Sequence, residues 1–183
     1  MKVFLNPGHC PGVDSGAVNQ ATGLQEADVA LAIGTLVKDY LEAAGVETEM
    51  LQSDCLMHES PGYPSVCDTA NASGADLFIS IHCNAGGGRG TEVEVFDNTG
   101  GPALDIAECM MDQICTSLGT VRRYINSRSG LAVLRGTTMP AVLVETAFID
   151  NDDDAQLLAN NQDDFARAIA RAVTDYEQGF NEQ

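Results

Sequence analysis

Two short apolar runs that each stop at a histidine constrain this chain more than any other feature. The first is Phe4-Leu5-Asn6-Pro7-Gly8-His9, and the second is Leu77-Phe78-Ile79-Ser80-Ile81-His82-Cys83-Asn84-Ala85. A short apolar run bounded by turn residues reads as a strand buried in a parallel sheet. Open α/β sheets collect ligands outside the carboxyl ends of such strands. Two histidines at two such ends are therefore candidates to share one site.

The rest of the chain supplies alternating β and α units. Cys10 to Ala17 is turn-rich and reads as a loop. Gly23-Leu24-Gln25-Glu26-Ala27-Asp28 opens a helix with acids in its first turn, and Ile33, Val37 and Leu41 continue it to Gly45. Val46 to Leu51 reads as a strand, Gln52 to Pro64 as an irregular loop, and Ser65 to Ala72 as a short helix. Thr91 to Phe96 alternates strictly, as a strand with one wet face does, and Ala103 to Leu118 is an amphipathic helix. Arg122 to Arg128 is polar and reads as a loop, and Leu131 to Leu134 as a short strand. Ala141-Val142-Leu143-Val144 is a further apolar strand that ends on Glu145, and helices at Asp152 to Leu158 and Asp164 to Tyr176 close the chain. With no internal repeat or linker, this pattern predicts one α/β domain over residues 1–183, with a mainly parallel sheet and helices on both faces.

Charge narrows the partners. Nine Lys and Arg stand against 27 Asp and Glu in 183 residues, a formal net charge of −18. Such a surface repels nucleic-acid backbones and anionic membranes, and it concentrates divalent cations. No apolar run approaches the roughly 20 residues needed to span a bilayer. Met1-Lys2-Val3-Phe4-Leu5 passes directly into the first strand without the pattern of a secretory signal. The expectation is synthesis in the cytoplasm, with any export route unspecified. Six cysteines form no C-x-x-C pair, so zinc-finger and thioredoxin readings lack support. Cys10–Cys83 and Cys55–Cys67 remain conceivable bridges.

The chemistry concentrates at His9, Glu26, His82 and Glu145. Two imidazoles and one carboxylate form a ligand set for catalytic zinc with a position left for water. Amide hydrolysis then needs a further carboxyl to move protons, and Glu145 ends a buried apolar run where an acid has no obvious structural purpose. Each residue also has a plainer reading. Either histidine can be a hydrogen-bonded structural residue, Glu26 a helix-start acid, and Glu145 half of an ion pair with Arg135. Cys10 and Cys83, next to the histidines, are rival ligands because thiolate binds zinc well. His58 lies in a polar loop and reads as solvated.

Four segments carry a family resemblance. Asn6-Pro7-Gly8-His9, Gly23-Leu24-Gln25-Glu26, Ala75 to Ala85, and Met139 to Asn151 resemble, in order, the signatures of zinc-dependent N-acetylmuramoyl-L-alanine amidases of the amidase 3 type. The resemblance implies a twisted, mostly parallel sheet of about six strands flanked by helices. It implies zinc held by His9, Glu26 and His82, with Glu145 serving the catalytic water. It also implies hydrolysis of the amide between N-acetylmuramic acid and L-alanine in peptidoglycan, with Asn84 lining the substrate groove.

The chain departs from that pattern in places. Cys10 and Cys83 stand where relatives often carry glycine and alanine, and Gln52-Ser53 and Cys67 stand where arginines are common. Only Asp97 to Pro102 occupies the region where division-associated relatives insert a regulatory helix, so an open groove is expected. A small single-domain amidase of this kind resembles a phage or prophage endolysin, and a housekeeping wall enzyme is the competing origin. Two other functional classes stay open: a zinc peptidase or carboxypeptidase on the same architecture, and a catalytically silent wall-binding module.

Overall fold

Strand β1 (Lys2–Pro7) has Val3, Phe4 and Leu5 fully buried, as a central strand requires. The computed structural model describes residues 1–59 and 62–181, so residues 60 and 61 of the expected 52–64 loop lie outside the described residues. Helix α1 (Glu26–Ala43) buries Val29, Ile33, Val37 and Leu41 at helical spacing, and Gly45 follows it at φ 85°. Strand β2 (Glu47–Met50) is followed by α2 (Val66–Ser73), which Ser65 caps by accepting from the Asp68 N–H and which ends at the left-handed Gly74. Strands β3 (Leu77–Asn84) and β4 (Thr91–Val95) lead to helix α3 (Pro102–Leu118). Strand β5 (Arg122–Ser127), short helix α4 (Ala132–Gly136), strand β6 (Ala141–Phe148), α5 (Asp152–Asn160) and α6 (Gln162–Asn181) complete the chain.

The six strands form one sheet in the order β2-β1-β3-β6-β4-β5. Only the β6–β4 pair is antiparallel, so β4 and β5 together run against the other four. Alternate residues divide the core in two. Val3, Leu5, Ile79, Ile81, Val142 and Val144 pack on α1, α3 and α6, whereas Phe4, Phe78, Ala141 and Leu143 face Val66 of α2 and Val133 of α4. Three long helices thus cover one face and two short ones the other. The second face is left bare near the carboxyl ends of β1, β3 and β6, where His9, His82 and Glu145 lie.

Three features differ from the sequence reading. Residues 122–128, expected to be a loop, hold edge strand β5, which pairs with β4 alone. An edge strand needs no apolar stripe on both faces, and only Ile125 of this one reaches the main core. Residues 131–134, expected to be a strand, open helix α4. A run of four apolar residues has no period to tell helix from strand, and here Val133 and Leu134 bury themselves in the same cluster. Strands β3 and β6 also continue past the polar residues taken as their ends, so His82 and Glu145 sit within strands.

The smaller core depends on the stacked rings of Phe4 and Phe78, 5.8 Å apart and both fully buried. Phe78→Ala is expected to lower unfolding free energy by about 3–5 kcal/mol, measured by urea denaturation.

Candidate metal centre

His9 lies just beyond β1 in a turn whose backbone is closed by hydrogen bonds between Cys10 and Asp14. The turn holds His9 at φ 60°, a left-handed conformation that costs a non-glycine residue about 1 kcal/mol or more. In exchange, its ring faces the start of α1. Its Nδ1 is 2.6 Å from Asp14 Oδ2, while Asp14 Oδ1 accepts from the Gly16 N–H at 3.0 Å. Asp14 therefore holds the ring and leaves Nε2 as the donor toward the site, the usual arrangement behind a metal-binding imidazole.

Glu26, first residue of α1 and 4% exposed, takes the central place. Its Oε2 lies 3.1 Å from His9 Nε2 and accepts from the Ala17 N–H at 2.8 Å. Its Oε1 lies 2.9 Å from His82 Nδ1 and accepts from the Cys83 N–H at 3.0 Å. One donor atom from each of His9, Glu26 and His82 falls within 4.8 Å of the others. Two imidazole nitrogens and a carboxylate oxygen, drawn from three separate segments, suit a borderline cation such as zinc. Burial favours the neutral form of Glu26, but hydrogen bonds from His82 and His9 prevail and hold its carboxyl well below the usual range. The same contact with Glu26, partly opposed by burial and reinforced by Asp14, lifts His9 to about 9.

Small residues make the convergence possible. A Cβ on Gly8 would lie 2.2 Å from the His82 ring. One on Gly16 would lie 2.6 Å from both Glu26 Oε2 and the His9 ring. Gln52 donates to the Gly8 carbonyl at 3.1 Å and the Ala27 carbonyl at 3.0 Å, tying the His9 turn to the start of α1. The sequence reading missed Asp14, Gly8, Gly16 and this role of Gln52. The Asp14-Ser15-Gly16 turn after a candidate ligand was the available signal for Asp14.

Neither Cys10 nor Cys83 joins the donor cluster of His9, Glu26 and His82 found among the described residues. Cys83 sends its thiol into the main core, 3.7 Å from Thr146 Oγ1, and burial raises its pKa far above the ordinary thiol value. Cys10, Cys67 and Cys83 are free thiols, so neither of the bridges conceivable from sequence forms. His58 is exposed and lies 3.0 Å from Asp68, away from the triad.

Glu145 is the direct register partner of His82 on β3 and of Glu92 on β4. Its Oε2 is buried without a hydrogen-bond partner among the described residues. Burial, followed by the charges of Glu26, Glu94 and Glu92, pushes its pKa up to about 8 against an opposing contribution from His9. Arg135 contacts the Gly130 carbonyl and Met57 Sδ, which removes the ion-pair reading of Glu145. Asn84 donates to Glu92 Oε2 at 2.9 Å, which ties β3 to β4 across β6. A cleft of about 170 Å³ runs past His9 and His82, with Leu56, Leu131, Val133 and Leu143 as its apolar lining.

The family described as N-acetylmuramoyl-L-alanine amidase matches residues 3–175. An N-acetylmuramoyl-L-alanine amidase, CwlM, of Bacillus licheniformis is 34% identical over 171 residues, covering 93% of this chain and 65% of its own. An endolysin of Bacillus phage SPP1 is 36% identical over 179 residues, covering 92% of this chain and 61% of its own. The chain thus spans a little under two thirds of each of these relatives. The solved N-acetylmuramoyl-L-alanine amidase AmiC2 of Nostoc punctiforme superposes with a TM-score of 0.84 at 32% identity, covering 97% of both chains. With a triad assembled from β1, α1 and β3 on the same sheet architecture, the chain belongs to the N-acetylmuramoyl-L-alanine amidase family.

Proposed function

We propose that residues 1–183 act as one catalytic domain that hydrolyses the amide between N-acetylmuramic acid and L-alanine in peptidoglycan, with zinc held by His9, Glu26 and His82. The observation that carries the reading is Glu145, an acid with a buried, unpartnered oxygen beside a converged set of metal donors. Leaving such an oxygen unpaired costs stability, about 1–3 kcal/mol; Glu94 Oε2 is also unpartnered but has Arg128 Nε at 3.5 Å, whereas Glu145 stands next to the metal donors. Zinc in the site would supply Lewis-acid chemistry, activating water near neutral pH and polarising a carbonyl.

The chain's own groups do the rest. Asp14 fixes the His9 tautomer, and Glu26 is held in place by the backbone N–H groups of Ala17 and Cys83. Glu145, buried beside the donor set with an unpartnered oxygen, can take a proton from the attacking water and return it to the departing L-alanine nitrogen. Apolar side chains of the cleft limit competing water around the sugar–peptide junction. Asn84, held by Glu92 next to this centre, is assigned to the substrate-facing wall. Action at the cell wall follows from the substrate, and the similarity to a phage endolysin suits a lytic role.

Digestion of defined muropeptides, read by mass spectrometry, is expected to release the free stem peptide and to stop when a chelator is added. A product that keeps the sugar–alanine bond would assign the chain to the peptidases instead. Glu145→Gln should lower the rate by about 100-fold or more while metal analysis still finds about one zinc per chain; activity close to that of the unaltered protein would remove Glu145 as the proton carrier. Gly8→Ala, which drives a methyl group into the His82 ring, is expected to lower zinc content in the same analysis.

A further inference from the structure

Beyond Glu145, the same sheet face carries a polar chain that the hydrolytic chemistry does not use. Asn84 donates to one oxygen of Glu92, and the Nε of Arg123 on β5 donates to the other at 2.5 Å. The Arg123 guanidinium lies 5.1 Å from the ring centre of buried Phe148 and 5.5 Å from that of Tyr124. Glu92 is satisfied on both oxygens, whereas Arg123 spends only its Nε on the pair. Its two Nη groups share a single long contact, 3.5 Å to the Arg89 carbonyl. With the side chain 30% exposed, they are accessible to a ligand.

This arrangement differs from the other arginines nearby. Arg122 is taken up by Glu108 and Asp112 on the outer side. Arg89 pairs with Asp153, away from the sheet. Arg128 meets Glu94 at 3.5 Å, but its backbone is bonded at Val95, whose β6 partner Val142 lies three residues deeper than Glu145. Arg123 alone combines a stacked plane, a half-buried anchor level with Glu145 and a free Nη edge. Guanidinium groups fixed in this way present a planar fork that matches a carboxylate.

We propose that Arg123, on the sheet face beyond Glu145, is a carboxylate-recognition residue that takes a carboxylate of the stem peptide beyond L-alanine. The assignment rests on the amidase reading above and extends it to substrate selection. Strand β5 lies two strands from β6, about 10 Å away. An extended peptide covers that distance in about three residues at about 3.3–3.6 Å each, or in two with a side chain reaching the rest of the way. The recognised carboxylate is therefore on the second or third residue of the stem.

The test compares two muropeptides that differ only in whether the second- and third-residue carboxylates are free or amidated. The unaltered protein is expected to prefer the free form by about 10-fold or more in kcat/KM, chiefly through KM. In Arg123→Gln that preference should fall to about one, through loss on the free form. Equal rates on both forms in the unaltered protein overturn the assignment while leaving the amidase reading intact. So does an Arg123→Gln variant that keeps the preference, or one that loses activity equally on both forms, which marks a structural role. Hydrolysis of neither form by the unaltered protein removes the amidase reading itself, and this assignment with it.

Discussion

One carboxylate holds the site together. Glu26 stands at the first position of α1, where the helix favours negative charge, and each of its oxygens meets one histidine and one backbone N–H. Those four contacts come from the turn after β1, the loop before α1 and the strand β3. A buried acid would ordinarily prefer to be neutral, yet the surrounding donors keep it charged. Without them, three chain segments bearing polar groups would meet in a region lined by apolar side chains. The glycines at 8 and 16 serve the same convergence by leaving room where any side chain would push a ring or the carboxylate aside.

Much of this was legible in the chain itself. The runs before His9 and His82 are fully buried strands because nothing but a two-sided core accommodates Val3-Phe4-Leu5 or Leu77 to Ile81. The amphipathic spacing in α1 and α3 was equally direct. What stayed hidden had no local period. Strand β5 is polar because it pairs on one side only, and the apolar pattern of α4 is shorter than one repeat of either structure. Gln52 was invisible for another reason: it acts through contacts to the Gly8 and Ala27 carbonyls that exist only once the chain has brought those segments together. His9 and Glu26, by contrast, were suggested by chemistry alone, since their residue types make a known donor set.

The strongly acidic composition takes on an uneven character in the fold. Five of the nine Lys and Arg residues fall between Arg89 and Arg135, and four of those five pair with acids on or beside β4, β5, α3 and α5. The remaining surface is left with little to balance its carboxylates. Positive charge is concentrated around one flank of the sheet, and that flank adjoins Glu145. Net charge therefore says little about the local field met by a ligand in the cleft.

The reversed direction of β4 and β5 has a geometric outcome of its own. In a wholly parallel sheet, only strand endings and the loops after them reach the ligand edge. Here the antiparallel step between β6 and β4 brings the opening residues of β4 and β5 to that edge, so Glu92 stands beside Glu145 and Arg123 one strand further out. The donor side of the site is thus written by the ends of β1 and β3. The sheet face beyond Glu145 is written by strand beginnings, whose preceding loops are separate pieces of chain. Substitutions in the second set can reshape what the site admits while the three donor segments keep their register.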